Sequence, residues 1–128
     1  MYDINLVIGL LEQIYGATKT IQRRFRAINS VDDFTDTQGG MDMLDGICML
    51  LIAIGESLKK IDKITDRKLL SHYTEIDWKG AKGVRDIISH HYFDIDAEEI
   101  FWICSHHLEP LCSTIRKIVE DLEDGATS

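Results

Sequence analysis

The sequence predicts one all-α domain over residues 1–128, an up-and-down bundle of four main helices with one additional short helix. Only one proline occurs in 128 residues, and apolar residues recur at steps of three and four rather than in strand-like alternation. The chain is 45% hydrophobic and 28% charged, which is typical of a globular protein with its own core. Disorder and collagen-like repeats are therefore excluded.

The first long helix is marked by an apolar stripe that lines one helical face. We expect this helix to run from about Ile4 to about Ala27. Beyond it, Ser30 and Asp33 resemble the capped start of a short turn. The stripe consists of Ile4, Val7, Leu11, Ile14, Thr18, Ile21, Phe25 and Ile28.

The next segment, residues 29–40, is expected to be a loop. It is polar, and Gly39 and Gly40 together should break regular structure. A second long helix follows from Met41 to about Ile61. Because it is apolar over much of its circumference, it should lie at the centre of the bundle.

Two further helices precede the last one. A short third helix is predicted over residues 65–73, where Asp66 would lie in the first turn and interact favourably with the helix dipole. Asp77 is a plausible N-cap for a fourth helix from Trp78 to about His91.

The last helix is predicted to open at Asp96, which resembles the start of a capping box. Pro110 lies inside this helix and should kink it, because proline lacks an N–H and clashes with the preceding turn. The acidic tail from Glu120 should fray, above all residues 124–128. The buried stripe is Ile100, Cys104, Leu108, Leu111, Ile115, Ile118 and Leu122.

Three cysteines form an odd set without C-x-x-C spacing, which favours a reducing compartment such as the cytoplasm. The longest apolar run, residues 47–54, is too short to span a bilayer, and no signal peptide is recognisable. We expect no contact with membranes. The formal net charge of −8 disfavours indiscriminate binding to nucleic acid, since such binding needs cations to meet phosphates.

Reactive side chains are densest near the end of the fourth helix. On a helix, Arg85, Ser89 and Tyr92 fall on one narrow face, while Asp86 and His90 form an i,i+4 pair beside it. A carboxylate next to an imidazole orients the ring and favours its protonated form, which suits acid or base catalysis near neutral pH. The guanidinium is suited to a phosphate. The set therefore suits metal-free phosphodiester chemistry.

A purely structural role is the alternative. Cationic side chains commonly cap the carbonyls at a helix end, and a tyrosine there commonly packs its ring.

The segment Arg85-x4-His90-x-Tyr92 resembles the R-x4-H-x-Y signature of HepT-like proteins in the HEPN superfamily, which are small all-helical ribonuclease toxins. The resemblance covers roughly residues 42–118. Asp86 departs from the family pattern, in which asparagine is frequent, and an added anion near a phosphate site is expected to lower the affinity for phosphate or to change the protonation of His90. Other landmarks that agree are Ile54-Gly55-Glu56, Tyr73-x-Glu75-Ile76-x-Trp78, Ile100-x-Trp102 and Leu108-x-Pro110-Leu111.

The resemblance implies a homodimeric RNA endonuclease that needs neither metal nor cofactor and whose two motifs face a shared cleft. His90 would assist attack of the ribose 2′-hydroxyl, and Arg85 would stabilise the charge developing at phosphorus. The implied partner is a minimal nucleotidyltransferase antitoxin, which in some systems transfers AMP to the motif tyrosine, here Tyr92. The alternative is a non-catalytic helical module that binds a nucleotide or a substrate beside a nucleotidyltransferase.

Several weaker candidates remain open. Glu56 lies on a largely apolar helix, where it is either paired with an arginine of the motif helix, as a supporting site residue, or exposed. A zinc site would need Cys104 and His107 together with Cys112 or His72, and is disfavoured. Two tryptophans, Trp78 and Trp102, are expected in the core or a dimer interface rather than as base-stacking platforms, although base stacking stays an alternative for Trp78, which is close to the motif helix. A basic stretch is either a solvated helix face or a phosphate contact: Lys19, Arg23, Arg24 and Arg26.

Charge is unevenly distributed along the chain. Acids concentrate in the first predicted loop, the following helix start and the tail, remote in sequence from the motif. The approach to the motif is locally basic, so net acidity does not exclude a confined phosphate site. Any ribonuclease activity should be selective and weakened by salt. The basic residues are Lys59, Lys60, Lys63, Arg67, Lys68, Lys79, Lys82 and Arg85.

Overall fold

A computed structural model describes residues 2–90 and 95–125, without the side chains of residues 89 and 90. The predicted all-α bundle is confirmed, and the described residues contain no strand. One 3₁₀ turn, Leu70–His72, precedes the helix that carries the motif. The α-helices are α1 (Ile4–Phe25), α2 (Asp32–Thr35), α3 (Gln38–Ile64), α4 (Trp78–His90), α5 (Ala97–His106) and α6 (Leu108–Glu123).

The long helices pack side by side in the order α6, α1, α3, α4. Helix α5 packs against α6, α1 and α3. As predicted, α3 is central: it contacts α1, α2, α4 and α5. By contrast, α4 packs chiefly against α3 and so lies at the edge of the bundle. The core is aliphatic, with fully buried side chains including Val7, Leu11, Ile47, Leu58, Ile115 and Ile118.

The loop predicted over residues 29–40 is wrong in two respects. Phe34, which is fully buried, anchors the short helix α2, and α3 begins at Gln38, so both glycines are helical. Thr37 caps α3, since its hydroxyl accepts a hydrogen bond from the Gly40 N–H at 2.9 Å. A glycine is required at position 40, because a Cβ there would lie 2.1 Å from the Asp33 carbonyl oxygen.

The third helix predicted over residues 65–73 is reduced to the 3₁₀ turn. α3 continues to Ile64, beyond its predicted end, and then stops because Asp66 and Arg67 adopt left-handed backbone conformations, with φ of 54° and 62°. The Arg67 N–H donates to the Asp62 carbonyl at 2.8 Å, which closes the helix end. Asp66 is therefore not in a helical first turn.

The kink predicted at Pro110 is instead a break into two helices. The proline ring would clash with the carbonyl of His106, the residue at which α5 ends. Pro110 lies in the first turn of α6, where backbone N–H groups have no partner within the helix, so its missing donor costs nothing there.

The helix starts predicted at Asp77 and Asp96 are confirmed. The Asp77 carboxylate accepts from the Gly80 N–H at 3.0 Å, and Asp96 accepts from the N–H groups of Glu98 and Glu99. Fraying from Glu120 is wrong as far as Glu123, which is helical, and residues 126–128 lie outside the described part.

The three cysteines are unpaired and buried. Burial raises the pKa of the Cys48 thiol to about 11 and that of Cys104 to about 12, with smaller contributions from Asp45 and Cys48 respectively. Within the described ranges, no helix is both long enough and apolar enough to cross a membrane.

Candidate functional site

The candidate site lies where α4 packs antiparallel to α3. Gly55 of α3 is buried at the crossing, and a Cβ at this position would lie 3.4 Å from the carbonyl oxygens of Ala81 and Lys82. A Cβ would therefore just reach van der Waals contact with the α4 backbone, which shows how closely the two helices approach here.

One ion pair joins the two helices beside this crossing. Arg85 Nε lies 2.6 Å from Glu56 Oε1, and the two side chains are 47% and 43% exposed. Glu56 is thus both paired and half-exposed, which combines the two alternatives drawn from the sequence. The carboxylate contacts Nε. The two outer nitrogens of the guanidinium have no hydrogen-bond partner within the described residues.

A second ion pair joins the same helices nearer the start of α4. Lys82 Nζ contacts Asp62 Oδ2, and these side chains are only 26% and 13% exposed. In the sequence, Lys82 is recognisable as part of a basic approach to the motif but not as a paired residue. The available signal was spacing: acids at 56 and 62 on one helix match cations at 85 and 82 on an antiparallel neighbour.

Other residues of the predicted site differ in how far they are described. Asp86 is exposed on α4. Ser89 and His90 lie within α4, so the helix carries the Arg85-x4-His90 part of the motif, but their side chains are outside the described part. Tyr92, the predicted modification site, falls outside the described residues.

An apolar groove of about 550 Å³ runs along the opposite side of α4, between that helix and α5 and α6. Its floor includes Ile54 of α3. Two large apolar side chains on its walls are conspicuously exposed, Ile87 by 44% and Trp102 by 55%. Helix α4 therefore separates a charged face from an apolar one.

Acidic and aromatic groups surround this groove. Glu75, Asp77 and Glu99 are among its lining residues. The ring of Trp102 stacks on His106, with centroids 3.8 Å apart and planes inclined by 22°. A core position is thus wrong for Trp102.

The start of α4 is held in place by a short polar chain. Trp78 is half-buried and its Nε1–H donates to the Tyr73 carbonyl at 2.8 Å. The Tyr73 hydroxyl in turn donates to Asp121 Oδ2 of α6 at 2.7 Å. Burial, followed by the bond to Asp121, raises the pKa of Tyr73 well above its usual range. These contacts fix α4 relative to the bundle, a role of Tyr73 that no sequence pattern indicated.

The remaining candidates are not assembled into a site. The described residues contain no group of three or more His, Cys, Asp or Glu side chains arranged to hold a metal ion. The basic side chains at the end of α1 are exposed at the surface: Arg23, Arg24 and Arg26.

Comparison with known proteins identifies relatives over most of the chain. The family model "Ribonuclease HepT-like" matches residues 8–118. "Putative RNase MJ0127" of Methanocaldococcus jannaschii is 32% identical over 73 residues, which is 57% of this chain and 57% of that protein. "Putative RNase MJ0125" of the same organism is 32% identical over 74 residues, 58% of this chain and 60% of that protein. These alignments therefore span little more than half of either relative. No solved structure matches.

Proposed function

The chain belongs to the HepT-like ribonuclease family, and from this membership we propose that it is a metal-independent endoribonuclease that acts as the toxin of a toxin–antitoxin pair. The observation that supports this most directly is Arg85 on the motif helix: Glu56 holds its inner nitrogen, and its outer nitrogens have no hydrogen-bond partner in the described part of the chain. A guanidinium held in this way presents a fork that matches a phosphate.

In the proposed reaction, the ribose 2′-oxygen attacks the adjacent phosphorus and the bond from phosphorus to the 5′-oxygen breaks. His90 takes the proton from the 2′-hydroxyl as general base. Arg85 stabilises the charge that develops on the non-bridging phosphate oxygens. The 5′-oxygen leaves and takes a proton from solvent water to become a hydroxyl, the protonated His90 returns its proton to solvent, and the other fragment ends in a 2′,3′-cyclic phosphate.

Glu56 acts in this proposal as a positioning residue rather than a catalytic one. It contacts Arg85 and not the reacting atoms. Asp86 and Ser89 are supporting residues on the same helix. Lys82 and Asp62 contribute by holding α4 against α3.

A homodimer completes the proposed site. Ile87 and Trp102 expose apolar surface along α4 and α5, and large exposed apolar patches commonly mark protein interfaces. Pairing this surface with that of a second copy places the two motif helices side by side, so that both motifs lie close to the interface.

The proposed antitoxin is a minimal nucleotidyltransferase that joins AMP to Tyr92. The tyrosine oxygen attacks the α-phosphorus of ATP, and pyrophosphate leaves. A nucleotide attached two residues after His90 introduces a bulky anion beside the motif and blocks RNA. Mass measurement of the protein co-expressed with its antitoxin tests this step: an adenylyl increment on Tyr92 is expected, and an unmodified Tyr92 contradicts it.

Cleavage assays test the proposed reaction. With total tRNA or mRNA and a metal chelator, the wild-type protein should cleave RNA to fragments with 2′,3′-cyclic phosphate ends. His90→Ala and Arg85→Ala should each lower the rate by about 10²- to 10³-fold. Arg26→Ala, which removes an exposed arginine at the C-cap of α1, serves as the matched control and should cleave normally.

Cleavage by the wild type that does not exceed that of His90→Ala would refute the ribonuclease proposal. In that case, harmless expression of the chain alone would favour the non-catalytic module. Growth arrest that Arg85→Ala or His90→Ala relieves would instead support the toxin.

A further inference from the structure

One face of the α3–α4 pair is rich in cations, and we name it the cationic face. The two ion pairs that join the helices lie on it, so Lys82 and Arg85 mark its position on α4. Lys79 lies one turn before Lys82, and Lys63 lies two turns beyond Glu56 on α3, so both extend the same face. The face comprises Lys59, Lys60, Lys63, Lys79, Lys82 and Arg85.

Most of the positive charge on this face is uncompensated. Its carboxylates are Glu56, Asp62 and Asp86, and the first two are already paired with Arg85 and Lys82. Within the described residues, no carboxylate oxygen lies within 4.0 Å of the remaining lysines. Both Lys63 and Lys79 are exposed. The lining of the apolar groove on the other side of α4 instead includes Glu75, Asp77 and Glu99, with no lysine or arginine among its described residues.

The arrangement of these cations has a direction. Because α3 and α4 are antiparallel, Lys63 and Lys79 lie towards the same end of the helix pair. At a rise of about 1.5 Å per residue, Lys79 lies about 9 Å from Arg85 along α4, and Lys63 about 10.5 Å from Glu56 along α3. The cationic face thus extends from Arg85 towards Lys63 and Lys79, and its length is enough to contact about two further phosphates of an RNA strand.

We propose that the cationic face binds the sugar–phosphate backbone of a single-stranded RNA segment next to the scissile bond. The proposal rests on the ribonuclease function proposed above. A single strand is specified because in-line attack by a 2′-hydroxyl needs a backbone conformation that a regular A-form duplex does not provide. Lys63 and Lys79 bind phosphates and take no part in the reaction.

The test measures binding separately from cleavage. A fluorescein-labelled 2′-O-methyl oligouridylate serves as probe, since it lacks the attacking hydroxyl, and fluorescence anisotropy reports its affinity. The test variant is Lys63→Gln with Lys79→Gln. The matched control, Arg23→Gln with Arg26→Gln, makes the same change in net charge at the exposed end of α1.

The test variant should bind the probe about five- to tenfold more weakly than wild type. The slope of log affinity against log salt concentration should fall in magnitude by about 1.4, or about 0.7 for each phosphate that is no longer neutralised by a lysine. In cleavage assays, its KM should rise while kcat is retained. The control should bind within about twofold of wild type.

Equal weakening in the two double variants would overturn the proposal, because net charge alone would then account for binding. Unchanged binding by the test variant, or no binding by the wild type, would also overturn it. If the wild type binds through Lys63 and Lys79 but leaves RNA uncleaved, the ribonuclease proposal fails and the phosphate-binding face stands.

Discussion

At the scale of single residues, the ion pair between Glu56 and Arg85 leads to a prediction about cleavage. Glu56→Ala frees the guanidinium from its place on α4 and should lower kcat by about ten- to a hundredfold, because a misplaced phosphate-binding group stabilises the transition state poorly. Glu56→Gln keeps an oxygen that can accept from Arg85 Nε and should retain most of the activity. Single-turnover cleavage assays measure both effects.

Asp62→Ala is the matched control for this experiment. It breaks the neighbouring ion pair with Lys82, which also holds α4 against α3, without touching Arg85, so it should lower kcat less than Glu56→Ala does. If Glu56→Ala cleaves RNA as fast as wild type or faster, Glu56 competes with phosphate for Arg85 and does not position it.

The residues of the candidate site could be predicted only in part from sequence. The cluster from Arg85 to Tyr92 is visible because five reactive side chains follow each other at helical spacing. The partner of Arg85 could only be offered as one of two alternatives, since Glu56 is 29 residues away in sequence and their contact depends on how α4 packs on α3. Tyr73 belongs to a recognisable landmark, but its bond to Asp121 gave no signal because it joins segments 48 residues apart.

At the scale of helices, the adjacent glycines of α3 should respond to alanine in opposite ways. A Cβ at Gly39 meets no atom within 4 Å, so Gly39→Ala should stabilise the protein by up to about 1 kcal/mol through helix propensity. Gly40→Ala places a Cβ against the Asp33 carbonyl and should destabilise it by about 1–3 kcal/mol. Urea unfolding measures both, and a stabilised Gly40→Ala would contradict the close contact of α2 with α3.

Helix boundaries were predictable where a local signal decides them. Asp77 and Asp96 cap their helices through bonds within three residues, so sequence alone located them. The prediction that Gly39 and Gly40 break regular structure was wrong, because packing against Asp33 and the cap at Thr37 outweigh the low helix propensity of glycine. Pro110 was expected to kink one continuous helix. Because proline is tolerated in the first turn of a helix, α6 instead begins just before Pro110, and the break between α5 and α6 lies three residues upstream, at His107.

At the scale of the whole molecule, the proposed dimer depends on the apolar groove beside α4. Trp102→Asp places a charge where a second copy would pack, so it should shift the protein towards monomer and abolish cleavage. Leu6→Asp, a change at a 50% exposed residue of α1, should alter neither property. Light scattering and RNA cleavage measure the two effects, and a dimeric, active Trp102→Asp would place the interface elsewhere.

The edge position of α4 also bears on how the protein opens. Helices α1 and α6 pack against each other across the core, whereas α4 rests chiefly on α3. Its amide hydrogens should therefore exchange with solvent through a partial opening that leaves the α1–α6 pair folded, at a lower free energy than global unfolding. Any molecule that binds α4 closes this route, so slowed amide exchange confined to residues 78–90 would reveal binding to the motif helix even without catalysis.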